Sequence, residues 1–239
     1  MAGLALCCAA VSTPPAAPFE LPATNAMGYP IFVHSPYTSW WLRGGDPTHS
    51  DVWHVKQDKR AGMSAMVRLG NASYRLLGSQ CTPGVGPFPE FVSATVHPTR
   101  TVFSYRGLGV QINLTFATPV FLEDLESHTP LTYVYFDVVS TDGRSRDVEL
   151  FFETPGQMAT DKDSQPVAWA RDEWSAPPAS GGGRAASPHL SMNIGVAAQR
   201  PLALTDFWID PRQPAEHIDW GQAHLTLPHA RPATAGVQR

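Results

Sequence analysis

A strict two-residue period constrains this chain more than any other feature. Val110, Ile112, Leu114 and Phe116 alternate with Gln111, Asn113 and Thr115. Successive side chains of an extended strand point to opposite faces, so the first set belongs to a core and the second to solvent. A helical period would instead scatter the four apolar residues around its axis. The stretch Leu131-Thr132-Tyr133-Val134-Tyr135-Phe136-Asp137-Val138-Val139 is nearly continuous in apolar or aromatic residues and reads as a strand covered on both faces. Thr141-Asp142-Gly143-Arg144 adds an Asp-Gly turn signal, and Val148, Leu150 and Phe152 alternate with Asp147, Glu149 and Glu153 beyond it. These two segments are expected to pair as a hairpin.

The rest of the chain agrees with an all-β reading. There are 19 glycines and 23 prolines, with 43% hydrophobic, 10% aromatic and 16% charged residues. That supply of apolar side chains builds a core and excludes a disordered chain. Long periodic stretches rich in Ala, Glu, Lys, Leu and Arg are missing, which excludes a coiled coil or helical bundle. The net charge of −4 leaves no basic excess to neutralise phosphates, so no nucleic-acid partner is expected. No apolar run reaches the length of a membrane-spanning helix.

Residues 1–17 carry the short apolar run Leu4 to Val11 ahead of prolines, read as a leader for export. Asn71-Ala72-Ser73 and Asn113-Leu114-Thr115 are N-glycosylation acceptors, one at an expected turn tip and one on the polar side of a strand, and a secreted protein is expected. Cys7 and Cys8 would leave with the leader, so Cys81 is expected to be a small buried apolar residue without a partner.

Residues 18–78 read as an extended N-terminal segment that ends in a hairpin, Met63 to Leu69 and Ser73 to Leu77, about Gly70-Asn71. Pro36 argues against a regular central strand within Ile31 to Leu42. The Gly/Pro-rich stretch 78–90 is expected to be a loop, and residues 79–228 a β-sandwich domain. Within it, 155–188 is too rich in Gly, Pro and Ser to pack and reads as a mobile insert. Strands resume at Leu190 to Val196, Ala203 to Ile209 and Ala223 to Leu227, and 229–239 reads as a disordered tail.

A search for chemistry returns little. No Gly-x-Ser-x-Gly elbow, Ser-x-x-Lys or His-Glu-x-x-His is present, and the pairs Gly84/Gly86 and Gly107/Gly109 read as turn punctuation. No cofactor or metal site is therefore expected. His49 and His54, five apart in a loop, read as surface imidazoles, and Asp161/Asp163 lack the further carboxylates of a calcium loop. Glu123, Asp124 and Glu126, with Asp172 and Glu173, are the carboxylates from which a glycosidase-like pair would be drawn; solvated loop acids are the plainer account. Tyr37, Trp40, Trp41 and Trp53, or Trp169 and Trp174, offer an aromatic platform for a sugar ring, in competition with packing in the core.

Five strings in order resemble the fungal glutaminase A family over roughly residues 18–228. They are Ser35 to Leu42, His97 to Tyr105, Leu131 to Gly143, Val148 to Glu153 and Ile218-Asp219-Trp220-Gly221. The resemblance implies a secreted hydrolase that converts L-glutamine to L-glutamate and ammonia. It implies a short N-terminal segment, an antiparallel β-sandwich, and a longer C-terminal α/α-toroid catalytic domain. That last domain is the partner expected for this chain, which stops soon after the Ile218 string with its sandwich incomplete. No catalytic residue of the family maps onto any position here. The expected role is a non-catalytic module; the alternatives are a carbohydrate-binding sandwich and an enzyme using Asp172 or Glu173 with Glu123.

Overall fold

A computed structural model describes residues 19–21, 28–35, 38–54, 59–79, 84–120, 131–159, 166–175, 188–196 and 222–228. In chain order the strands are β1 (Phe19–Leu21), β2 (Gly28–Ser35), β3 (Thr38–Arg43), β4 (Val52–His54) and β5 (Lys59–Ala61). They continue with β6 (Ser64–Leu69), β7 (Ala72–Leu77), β8 (Gly86–Pro87), β9 (Phe91–His97), β10 (Arg100–Gly107) and β11 (Val110–Ala117). The last are β12 (Tyr133–Ser140), β13 (Val148–Glu153), β14 (Val167–Ser175), β15 (Pro188–Val196) and β16 (Gln222–Pro228). Helix among the described residues is limited to the short 3-10 turns Pro47–His49 and Gly156–Ala159.

The chain is an all-β sandwich. A five-stranded sheet runs β1-β9-β10-β11-β12, and a four-stranded sheet runs β13-β6-β7-β8. A second four-stranded sheet, β2-β3-β4-β5, and a three-stranded sheet, β14-β15-β16, complete the described strands. All ladders are antiparallel except β7 with β8.

The period of two sets the register of β11. Val110, Ile112, Leu114 and Phe116 are buried, while Gln111, Asn113 and Thr115 stay partly exposed on the other face. The core they join draws on three sheets: Phe103 and Tyr105 of β10, Ala65 and Val67 of β6 with Leu76 and Leu77 of β7, and Tyr29, Trp40 and Leu42 of β2 and β3. One polar tie crosses it, the Tyr105 hydroxyl donating to the Leu76 carbonyl at 2.6 Å. The expected hairpin about Gly70-Asn71 is β6 with β7; Gly70, at φ 59, takes the left-handed turn that glycine permits. Pro36 lies between β2 and β3, which pair with two register shifts, so the apolar strip is a bent hairpin rather than one strand.

Three expectations fail. The segments 131–139 and 148–153 do not pair: β12 pairs with β11, and β13 crosses to the other sheet to pair with β6. Asp142 closes a local coil between the two strands. Its carboxylate accepts from the Arg144 backbone N–H at 3.1 Å and from Arg146 Nη1 at 2.7 Å. The coil so formed is pinned to the β10–β11 turn, where the Gly109 carbonyl accepts from the Thr141 N–H at 2.9 Å. Second, among the described residues β12 is covered on one face only. Val134, Phe136 and Val138 face the core, but Tyr133, Tyr135 and Val139 are 45%, 48% and 61% exposed. Third, Val167–Ser175, inside the segment expected to be a mobile loop, is strand β14 and pairs residue for residue with β15. Its Val, Trp and alternating residues satisfy a ladder even though the surrounding composition does not.

Strands at Leu190 to Val196 and Ala223 to Leu227 are present as β15 and β16. The strand expected at Ala203 to Ile209 and the tail 229–239 lie outside the described residues. No helix among the described residues is long and apolar enough to cross a membrane.

Candidate functional site

Two open clefts meet at the crossing from β12 to β13. One, of about 460 Å³, lies between these two edge strands and is lined by Phe136 and Val138, by Val148 and Leu150, and by Val110. Its walls are the core faces of β12 and β13, the end strands of their sheets among the described residues: Phe136, Val138 and Val148 pack on the core from the margin, and Leu150 is 46% exposed. Arg144 and Arg146 border the mouth. The other cleft, of about 630 Å³, is polar and lined by Arg68, Asn71, Asp147 and Glu149 among others. Arg68 and Glu149 form a salt bridge across the β6–β13 ladder.

Two ion pairs stand at this crossing, Arg68–Glu149 and Arg146–Asp142. Arg146 and Asp142 contact at 2.5 Å, and the Arg146 guanidinium together with the Arg144 N–H holds the Asp142 carboxyl well below the usual carboxylate range. A depressed carboxylate of this kind anchors the turn and is a poor general acid or base near neutral pH. Glu153 is shifted the other way, upward, by burial. Among the described residues no three His, Cys, Asp or Glu side chains gather at a point able to hold a metal ion.

The candidate residues scatter. Asn71 is exposed at the tip of the β6–β7 hairpin, and Asn113 stands on the outer face of β11. Trp40 is no platform residue: it is 4% exposed and packs edge-on against His54 with ring centroids 5.0 Å apart. His54, expected at the surface, is itself buried beneath Trp40, because β4 turns it to the core face; its Nε2 accepts from the Ser39 N–H at 3.4 Å. His49 is exposed, with Nδ1 3.4 Å from the Asp46 carboxylate. Trp41 and Trp53 are cross-strand partners on the opposite face, with the Arg43 guanidinium 4.8 Å above the Trp53 ring.

Asp172 and Glu173 sit in β14 opposite Ser191 and Leu190. Trp169, exposed, is opposite Ile194 in that strand, and Trp174 follows five residues on, opposite His189. Cys81, Tyr37, Glu123, Asp124, Glu126, Asp161 and Asp163 lie outside the described residues. Gly107-Leu108-Gly109 is the β10–β11 turn, with Leu108 at φ 54 and Gly109 at φ 74, the two-residue loop whose twist suits a hairpin.

Sequence reasoning missed a part-buried polar thread at the margin of the core. His34 Nε2 lies 2.9 Å from Thr132 Oγ1, which lies 3.0 Å from Thr118 Oγ1, tying β2 to the residues that close β11 and open β12. No motif announces it, since the three residues meet only through the fold. Burial lowers the His34 pKa below its ordinary 6.5. Between the depressed value and 6.5 the unfolded chain binds the proton more tightly, so stability is full above 6.5 and is lost as pH falls. The slope from one such site is at most about 1.4 kcal/mol per pH unit. Glu153 works in the opposite sense, costing stability as pH rises above its ordinary 4.5. Urea midpoints should therefore drop from about pH 7.5 to about pH 5.5, and His34→Gln should flatten that drop. An unchanged profile in the variant would remove His34 from the account.

Comparison with known proteins adds the following. Residues 99–238 match the profile of a domain of unknown function, DUF5127. Over 150 residues the chain is 26% identical to glutaminase A of Aspergillus oryzae (strain ATCC 42149 / RIB 40), a match that covers 59% of this chain and 21% of that protein. The chain thus spans about a fifth of the length of that relative. No solved structure gives a significant match. Since the profile matches more than half of its length, the chain belongs to the DUF5127 family and is a glutaminase A-like member of it.

Proposed function

We propose that this chain is the non-catalytic β-sandwich module of a glutaminase A-like hydrolase, whose reaction converts L-glutamine to L-glutamate and ammonia. The module offers the cleft between β12 and β13 to an α/α-toroid catalytic domain of the same polypeptide. The observation that carries this reading is the open margin of the sandwich, where Phe136, Val138, Val148 and Leu150 line a cleft of about 460 Å³. Exposed contiguous apolar surface of this kind marks a site of association. The match to a fifth of a glutaminase A supports it. So does the chemistry of the described residues. Amide hydrolysis needs a nucleophile or activated water, an acid–base group and an oxyanion donor within hydrogen-bond reach of one another. Asp142 is instead paired with Arg146 in a turn, and Glu149 with Arg68 across a ladder. The reading includes export, supported by the apolar leader and the two glycosylation acceptors.

The purified chain should release no ammonia from L-glutamine above a buffer blank; steady turnover overturns the reading. Docking is tested separately. Leu150→Lys replaces a half-exposed side chain and should change the stability of the isolated chain by no more than about 0.5 kcal/mol. When the module is coexpressed with a catalytic domain, the same change should weaken their co-purification. Unaltered co-purification would move the interface elsewhere.

A further inference from the structure

The outer face of the five-stranded sheet mixes polar side chains with Val102 of β10 and carries two exposed aromatic rings on β12. There Tyr133 and Tyr135 are 45% and 48% exposed, with their rings stacked at 13° and 5.9 Å between centroids. Two exposed tyrosines side by side form a flat aromatic step, a surface on which the C–H face of a sugar ring can lie. The neighbouring strand carries a candidate. Asn113-Leu114-Thr115 is an N-glycosylation acceptor, and β11 presents Asn113 and Thr115 on this same face. Thr115 is directly opposite Tyr135, and Asn113 is opposite Asp137, so the acceptor and Tyr135 are diagonal neighbours across one ladder. The acceptor amide is also oriented: Ser104 on β10 donates its hydroxyl to Asn113 Oδ1 at 2.9 Å, which turns Nδ2 away from β10. Nδ2 is the atom to which a glycan attaches.

We propose that an N-linked glycan on Asn113 covers the Tyr133–Tyr135 face of β12. In the transfer, Nδ2 attacks the anomeric carbon of a lipid pyrophosphate-linked oligosaccharide. The N–C bond forms as the C–O bond to the pyrophosphate breaks, and the amide gives up one proton to a base of the transferring enzyme. The modification precedes folding, and the fold then fixes where the sugar comes to rest. Its first residue, starting one diagonal from Tyr135, lays the C–H face of its ring on the tyrosine while its hydroxyls meet Asp137 and solvent. Asn71 gives the contrasting case. It sits exposed at a hairpin tip beside Arg68 and Glu149, so a glycan there has a polar floor.

The test uses the full chain secreted from eukaryotic cells behind a cleavable leader. Glycans are released with peptide-N-glycosidase in heavy-oxygen water, which converts each occupied Asn to a labelled Asp and identifies the sites without any variant. Label at position 113 is expected. Thr115→Ala should lose one glycan mass, and Thr115→Ser should keep it. Nitration of Tyr133 and Tyr135 by tetranitromethane should be several-fold slower on the glycosylated chain than on the same chain after enzymatic release. An unlabelled Asn113 in the secreted protein, whether or not Asn71 is labelled, overturns the proposal. So does an occupied Asn113 whose release leaves the nitration rates unchanged, an outcome that gives the face to another partner.

Discussion

The Ile112→Asp chain is expected to be unfolded in buffer. Ile112 is 0% exposed at the middle of β11, flanked across the ladders by Tyr105 and Val138. Neither ladder neighbour carries a cation for a carboxylate at that point. The chain must bury an unpaired charge, protonate it at a cost, or open the sheet. The loss adds the missing Ile contacts to the desolvation penalty and falls in the class beyond about 4 kcal/mol. Against a typical domain stability of about 5–15 kcal/mol, that removes most of the margin. The neighbour is the control. Gln111 faces outward between Arg106 and Val139, so Gln111→Asp sets a carboxylate across from a guanidinium and should shift stability by no more than about 0.5 kcal/mol. Far- and near-ultraviolet dichroism with urea titration separates the two. Equal behaviour would mean that the register of β11 is wrong by one residue.

The second large effect is expected at Phe103. This side chain is fully buried in β10 and is the meeting point of the aromatic core. It packs edge-on against Tyr29 at 5.3 Å and Phe116 at 6.1 Å, and tilted against Phe91 at 6.4 Å. Phe103 therefore joins the five-stranded sheet to the β2 strand of another sheet. Phe103→Ala should cost about 3–5 kcal/mol, the transfer term plus a cavity that the surrounding strands are too stiff to close. Phe103→Leu keeps most of the volume and should cost less than about 1.5 kcal/mol beyond the lost ring contacts. If the alanine variant melted like the parent, the core would have to be centred elsewhere.

The parts of this fold that could be read from the chain are those where one face meets water. In β11 the contrast between Ile112 and Gln111 reports the environment directly, and the Gly70-Asn71 turn fixes its hairpin by local geometry. Partner choice is not local. The Asp142-Gly143 signal marks a change of direction but does not say which strand lies beyond it. β13 goes to β6 because Val67 and Ala65 offer a buried row, and Arg68 a charge for Glu149, far back in the sequence. Apolar residues on both sides of β12 suggested two covered faces, but Tyr133 and Tyr135 tolerate water at one edge of each ring, and nothing described covers them. His54 looked solvated because the surrounding stretch 43–62 is mostly polar and turn-rich; Trp40, which buries it, arrives from the adjacent strand. In the 155–188 stretch the average composition hid a nine-residue strand. The candidate docking cleft had no sequence signal at all, since Phe136 and Leu150 read as ordinary core positions.

The pairing of β6 with β13 also sets a timetable for biosynthesis. Arg68 and Glu149 are 81 residues apart, so β6 leaves the ribosome long before its neighbour exists. At the usual rates of translation the interval is roughly 4–16 s, far longer than a hairpin needs to form. Throughout that time the nascent β6–β7 hairpin shows one unclaimed row of backbone donors and acceptors, and a chaperone that holds extended segments would find its client there.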